Sequence, residues 1–167
     1  MPFLKERSEN MENILTFQVH EQKDKKNIAR EVLYDLPEWF GLPEHTQKYI
    51  EDAQALSFWV AVLNQEVLGF VTLKETSNDT AEIHCMGVKK AYHHLGVGTK
   101  LFLELEAYAK TKYKFLQVKT VEEGRYKEYD QTVSFYKKLG FSKLEVFPTL
   151  WDVWNPCLIM IKHLKDA

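Results

Sequence analysis

The chain has 167 residues, 45% of them hydrophobic and 13% aromatic, which is enough apolar material for one domain with one core. Its 22 basic and 24 acidic residues leave a formal net charge of -2, and this excludes a nucleic-acid partner held by a broad basic surface. No apolar run approaches the roughly 18 residues of a membrane span, and the opening MPFLKERSENMENILTF lacks the apolar stretch of a secretory leader, so a cytoplasmic protein is expected.

Residues 1–12 are polar and aperiodic and are expected to form a loose tail ahead of a single domain over 13–167. ILTFQV, residues 14–19, reads as a strand. In residues 23–36 Ile28, Val32 and Leu36 recur at helical spacing, with Asp24 as a candidate N-cap. PEWFGLP breaks the pattern, and residues 44–56 predict a second helix with Tyr49, Ala53 and Leu56 on one face.

The period then changes. Residues 57–73 predict two strands joined by a short polar turn at Asn64, Gln65 and Glu66. DTAEIHCMGV, residues 79–88, predicts a further strand. After HHLGVG a helix carries Val97, Leu101, Leu105 and Tyr108 on one side, with Phe102 and Ala109 beside them. KFLQVKTV, residues 114–121, is a strand. Residues 129–140 read as a helix with Val133, Tyr136 and Leu139 spaced by three. Gly140 fits its C′ position, and Lys137 and Lys138 suit the negative end of its dipole. Residues 141–147 and 156–164 close the chain as strands. The fold class is α/β: a mixed, mostly antiparallel sheet of about seven strands flanked by helices, with a central parallel β-α-β unit. Cys85 and Cys157 lie in apolar strand-like runs and read as reduced core residues.

The chemistry concentrates at HHLGVG. The first-turn amides of the helix that follows have no partner within the helix, and the positive end of its dipole faces the same way. Gly96 and Gly98 remove side chains that would block an anion, so a phosphate or pyrophosphate could rest on bare amides. The sequence fits neither a Walker loop nor the three-glycine dinucleotide fingerprint, which would need glycine where Leu101 stands. A tight strand-to-helix turn without a ligand fits the same residues. His84, Cys85, His93 and His94 invite a metal reading, but Cys85 faces away from His84 on a strand and neither Cys-x-x-Cys nor His-x-x-x-His is present, so no metal is expected.

Residues 88–101, with Gly96 and Gly98 in place, resemble the acetyl-CoA-binding motif of the GNAT N-acetyltransferases, Gln/Arg-x-x-Gly-x-Gly/Ala. His93 stands where the family has Gln or Arg. YDQTVSFYKKLGF is similar to that family's later segment, Asn-x-x-Ala-x-x-Phe-Tyr-x-x-x-Gly-Phe. There Phe135, Tyr136, Gly140 and Phe141 match, while Tyr129 replaces Asn and Thr132 replaces Ala. The similarity extends over residues 17–162, and LPEWFGLPE and LWDVWNPCLIMIK look like segments of a bacterial subgroup with poorly defined substrates.

The resemblance implies acetyl-CoA as co-substrate, lying between the strands AEIHCMGV and KFLQVKTV. Its pantetheine arm would pair with the backbone of Met86, Gly87 and Val88, and its pyrophosphate would lie on amides of His94, Leu95, Gly96, Val97, Gly98 and Thr99, with His93 flanking. It also implies direct acyl transfer to a primary amine of a small molecule or a lysine side chain. The Val88 N–H would polarise the thioester carbonyl, and Tyr136 would protonate the departing thiolate, as a phenol with a pKa of about 10 can. A packed core aromatic is the other reading of Tyr136. The acceptor ammonium must lose a proton, and Glu82 and His84, two apart on one strand face, are the candidate bases beside another residue or water. Tyr129 is a candidate cofactor contact or a plain helix-start aromatic.

The family's acceptor cover falls on residues 33–56. There Trp39 and Phe40 line a pocket or close the core, and Glu38 would attract a cation. Trp151 and Trp154 suit the same pocket or the contact of a homodimer. The rival reading from another class is a non-catalytic acyl-CoA-binding or protein-interaction module on the same fold.

Overall fold

Residues 12–164 are described by a computed structural model, so the expected tail lies outside the described residues except for Glu12. The elements in order are β1 (Leu15–Val19), α1 (Gln22–Tyr34), α2 (Pro43–Ala53), β2 (Ser57–Leu63), β3 (Glu66–Glu75), β4 (Thr80–Val88), α3 (Val97–Ala109), β5 (Phe115–Val121), α4 (Lys127–Lys138), β6 (Ser142–Asp152) and β7 (Asn155–His163). This is the order read from the sequence. The seven strands lie as β1-β2-β3-β4-β5-β7-β6, with β4 and β5 parallel and antiparallel pairing for β1-β2, β2-β3, β5-β7 and β6-β7. Among the described residues no helix is long and apolar enough to cross a membrane. The chain divides into two compact units. One comprises the described residues up to Leu73 with Cys85–Glu106, and the other Lys74–His84 with the residues from Ala107 onward.

In the first unit the core joins helix stripes to strand faces. Ala29, Val32, Leu33 and Leu36 recur at the three- and four-residue spacing that keeps one side of α1 inward, and Ile50 and Ala53 do the same for α2. They pack with Val19, Phe58, Val60, Phe70 and Cys85, and the rings of Phe58 and Phe70 stack at 5.1 Å. The hairpin turn is the two residues Asn64 and Gln65, both at positive φ, between the paired Leu63 and Glu66.

Helix ends differ from expectation. The N-cap of α1 is Glu21 rather than Asp24, which lies in the first turn and contributes only its charge toward the dipole. Helix α2 begins one residue earlier than predicted, at Pro43, because proline suits a first turn whose N–H would have no helical partner. It also ends earlier, at Ala53, and Gln54, Ala55 and Leu56 form tighter turns behind it. The Leu56 carbonyl accepts a 2.7 Å hydrogen bond from the largely buried Lys25 ammonium, whose pKa burial holds below the ordinary lysine value.

The meeting of β3 and β4 is set by two glycines. A Cβ on Gly69 would lie 2.6 Å from the Gly87 carbonyl oxygen, and one on Gly87 would lie 3.0 Å from Val32 Cγ1 and 3.1 Å from Leu36 Cδ1. Helix α1 therefore lies directly against the end of β4. Thr72 Oγ1 bonds both the N–H (3.1 Å) and the C=O (3.3 Å) of Cys85, so a hydroxyl serves backbone groups at this point.

In the second unit β5 pairs with β7 over all its residues, Phe115–Val121, and β7 pairs with β6. Helix α4 has Glu128 and Asp130 in its first turn and Lys137 and Lys138 in its last, and Gly140 follows at a φ of +99°. Strand β6 runs to Asp152, beyond the predicted 141–147, while β7 is shifted by one residue from the predicted 156–164, and the two form a hairpin that includes Thr149, Leu150, Trp151 and Asp152. Pro148 falls within β6, which lies at the sheet edge, where a missing N–H costs no ladder bond. Cys85 and Cys157 are free buried thiols.

Candidate active site

The first unit carries the glycine turn and the strand leading into it. After Val88 the Lys89 N–H donates to Leu68 O at 2.8 Å, and Lys90–Tyr92 form one 3₁₀ turn. Side chains hold this turn from outside. The Asp35 carboxylate accepts from the Lys90 N–H at 2.7 Å, the Lys90 ammonium lies 2.8 Å from Glu38, and the Tyr92 hydroxyl donates to Glu66 at 2.6 Å. Lys89 lies 3.4 Å from Glu31 and 3.9 Å from Glu66.

His93 then turns inward. Its Nε2 lies 2.6 Å from Val88 O, and its ring meets Trp39 edge-on at 5.5 Å. His94 at φ +62° and Gly96 at φ +80° reverse the chain into α3, whose first helical bond runs from Lys100 N to Gly96 O at 3.0 Å. The amides of Val97, Gly98 and Thr99 precede that bond, so helix geometry leaves them free to meet an anion at the positive dipole end. The left-handed conformation at position 96 requires glycine, whereas Gly98, inside the helix, serves by its lack of a side chain.

The parallel register of β4 on β5 covers Thr80, Ala81, Glu82 and Ile83 only, although β4 continues to Val88. Met86, Gly87 and Val88 thus lie beyond that ladder. Met86 and Val88 are half-buried and Gly87 is buried.

The second unit carries the titratable cluster. Glu82 is 5% exposed. Gln117, its partner across the parallel pair, donates to Oε1 at 3.0 Å, the Lys119 ammonium lies 3.3 Å from the same oxygen, and His84 Nδ1 lies 3.7 Å from Oε2. Burial alone would push this carboxyl up. The hydrogen bonds from His84 and Gln117 and the Lys119 charge outweigh it, so Glu82 titrates below the ordinary carboxylate value. Tyr136 is buried on α4, its ring edge-on to Phe135 at 5.2 Å and to Phe141 at 5.4 Å. Tyr129 is half-buried near Tyr126, and burial, Tyr126 and Glu128 push its phenol up.

Residues 20–141 match the acetyltransferase (GNAT) family. The chain belongs to that family. It is accordingly an N-acetyltransferase with acetyl-CoA as co-substrate. A GNAT-family protein from Desulfovibrio desulfuricans has the same fold at a TM-score of 0.80 and 17% identity, over 91% of this chain and 99% of that one. Ard1 from Thermoplasma volcanium follows at 0.72 and 18%, over 92% and 99%. A GNAT family acetyltransferase from Elizabethkingia anophelis, solved with acetyl-CoA bound, gives 0.69 and 19%, over 91% and 99%. None of the curated proteins matches the sequence.

Within this acetyltransferase the structure groups Met86, Gly87, Val88, His93, His94, Leu95, Gly96, Val97, Gly98 and Thr99 on one continuous stretch of the first unit. It groups Glu82 with His84 in the second, where Tyr129 and Tyr136 share α4. Trp39 and Phe40 are half-buried and pack on the first unit's core, Phe40 edge-on to Tyr49 at 5.8 Å. Glu38 is exposed and engaged by Lys90, whose hydrogen bond lowers its pKa, so an acceptor cation would compete with that lysine. Among the described residues no group of three or more His, Cys, Asp or Glu is placed to hold a metal. Sequence reading missed Asp35, Glu66, Gln117 and Lys119. A parallel β4-β5 pair, once assumed, puts Gln117 and Lys119 on one strand face by the period of two, but the register that brings them to Glu82 is not written in either strand.

Proposed function

We propose that this acetyltransferase moves an acetyl group from acetyl-CoA directly to the primary amine of a small molecule. The observation that carries the reading is the end of β4. Beyond Ile83 its ladder to β5 stops, and Met86, Gly87 and Val88 lead straight into the externally braced glycine turn. Backbone N–H and C=O groups there suit the two amides of a pantetheine arm, and the amides opening α3 suit the pyrophosphate. Tyr136, on the family's second motif, would supply the proton taken by the departing sulfur, and β4 would supply the base from Glu82 or His84. The half-buried Trp39 and Phe40 favour a small organic amine as acceptor.

Thermal unfolding with acetyl-CoA, CoA, ATP and NAD in parallel tests the donor half. Acetyl-CoA and CoA alone should raise the midpoint by a few degrees, since a ligand at about 100 times its dissociation constant adds roughly 2.7 kcal/mol. No shift with either would overturn the donor site. A screen of small amines for CoA thiol release tests the acceptor half, and release with protein lysines alone would replace the small molecule with a protein.

The exposed Trp151, Val153 and Trp154 on the β6-β7 hairpin, the last 75% exposed, support a contact between two copies. Sedimentation equilibrium at tens of micromolar (on the order of an ordinary homodimer's range) should give twice the chain mass. The single-chain mass would rule that contact out.

A further inference from the structure

Two contacts with β3 fix how the end of β4 presents Val88. The Gly87 carbonyl oxygen lies against Gly69 of β3, 2.6 Å from where a Cβ would stand, and the Lys89 N–H donates to Leu68 O of β3 at 2.8 Å. No peptide bond among the described residues is cis. A trans peptide points its C=O and its N–H opposite ways. The Val88 N–H and the Val88 C=O, the other halves of those two peptides, therefore both point away from β3. A donor and an acceptor stand side by side there, beyond Ile83, where the ladder to β5 stops. The N–H suits an oxygen that gathers negative charge, whereas a bare carbonyl beside it would repel that oxygen.

His93 takes up the carbonyl. Its Nε2 lies 2.6 Å from Val88 O. A carbonyl only accepts, so Nε2 carries a proton whether the ring is neutral or charged. The ring is half-buried and meets Trp39 edge-on at 5.5 Å, which sets its plane. Val88 is held on the β3 side as well, since a Cβ at position 69 would lie 3.1 Å from both Val88 Cα and Val88 Cγ2.

We infer that His93 is a positioning residue for acetyl transfer: its Nε2–H holds and covers the Val88 carbonyl, so that the neighbouring Val88 N–H alone meets the thioester oxygen. The inference rests on acetyl-CoA lying at the end of β4, as proposed above. In this role His93 acts through the peptide and moves no proton in the reaction. Two effects combine. The Val88–Lys89 peptide is tied at its C=O by His93 and at its N–H by Leu68, so Val88 cannot swing its own N–H aside. The bond to Nε2–H also draws charge from the carbonyl oxygen that would otherwise oppose the thioester oxygen.

S-ethyl-CoA, in which a methylene replaces the thioester carbonyl, reads this contact without acceptor or turnover. Calorimetric titration of the wild type should give acetyl-CoA about five-fold tighter than S-ethyl-CoA, the size of one ordinary net hydrogen bond. His93→Phe keeps a ring against Trp39 and removes the donor. It should bind the two ligands equally, by losing acetyl-CoA affinity while S-ethyl-CoA affinity stays at the wild-type value. His93→Gln, whose amide N–H reaches about as far as Nε2, should restore the preference. His93→Asn, one bond shorter, should behave as Phe does, and it replaces that variant should Phe melt well below wild type. A wild type that binds both ligands equally, a preference that survives in His93→Phe or His93→Asn, or a parallel loss of both ligands in those variants would overturn the inference. A wild type that binds neither ligand removes the donor reading itself. Binding of both without preference leaves that reading standing and removes only the role of His93.

Discussion

Tyr136→Phe should lower the rate of CoA release by about 10²-fold or more while leaving acetyl-CoA affinity within a few-fold of wild type. The substitution keeps the ring that packs edge-on to Phe135 and Phe141, and removes only the hydroxyl. Loss of a single hydrogen bond from a buried residue costs about 1 kcal/mol, so the variant should fold and show a slightly lower melting temperature. The thiolate that leaves the acetyl group then has no positioned proton, and the penalty falls on kcat rather than on donor binding. A rate equal to wild type would remove Tyr136 from the acid role and leave it a core aromatic. A parallel fall in rate and in acetyl-CoA affinity would mean that its hydroxyl holds the cofactor rather than protonating sulfur.

Gly98→Glu should have an equally large effect of a different kind. Position 98 is the second residue of α3. A glutamate there is a better helix former than glycine by up to about 1 kcal/mol, and a first-turn acid interacts favourably with the dipole. The unliganded variant should therefore melt no lower than wild type. Its carboxylate would occupy the space over the first-turn amides and face a diphosphate of like charge. Two like charges about 4 Å apart near a protein surface repel by roughly 4 kcal/mol per pair, so acetyl-CoA affinity should fall by about 10²-fold or more. Calorimetric titration checks it. Normal affinity in a stable variant would move the pyrophosphate away from the glycine turn and make HHLGVG a structural bend.

The two motifs were legible because each combines a period with a punctuation mark. In α3 the apolar stripe starts at Val97, between Gly96 and Gly98, and in α4 the stripe ends just before Gly140. The parallel β4-β5 pair followed from the strand-helix-strand order. What remained hidden depends on register and on long-range side-chain pairing. Lys25 reaches the Leu56 carbonyl across 31 residues, and Asp35 reaches the Lys90 amide across 55. Neither pair leaves a local pattern. His93, read as a departure from the family's motif that flanks the cofactor, also lies on the Val88 carbonyl and the Trp39 ring. The part of β6 beyond Phe147 begins with Pro148, a residue that strands hold chiefly at an edge, so the segment leaves little strand signal of its own.

The braces on the 3₁₀ turn have a consequence for how two substrates are received. Glu38 and Trp39, from the segment expected to meet the acceptor, are the same residues that hold Lys90 and His93 ahead of the glycines. An acceptor cation that draws Glu38 from Lys90 releases one brace of the turn, and a donor that fixes the turn steadies Lys90 against Glu38. If the acceptor binds at Glu38 and the donor at the turn, occupancy at either place would alter affinity at the other by the same factor, whichever binds first. The coupling between donor and acceptor would therefore rest on one lysine-glutamate contact at the protein surface.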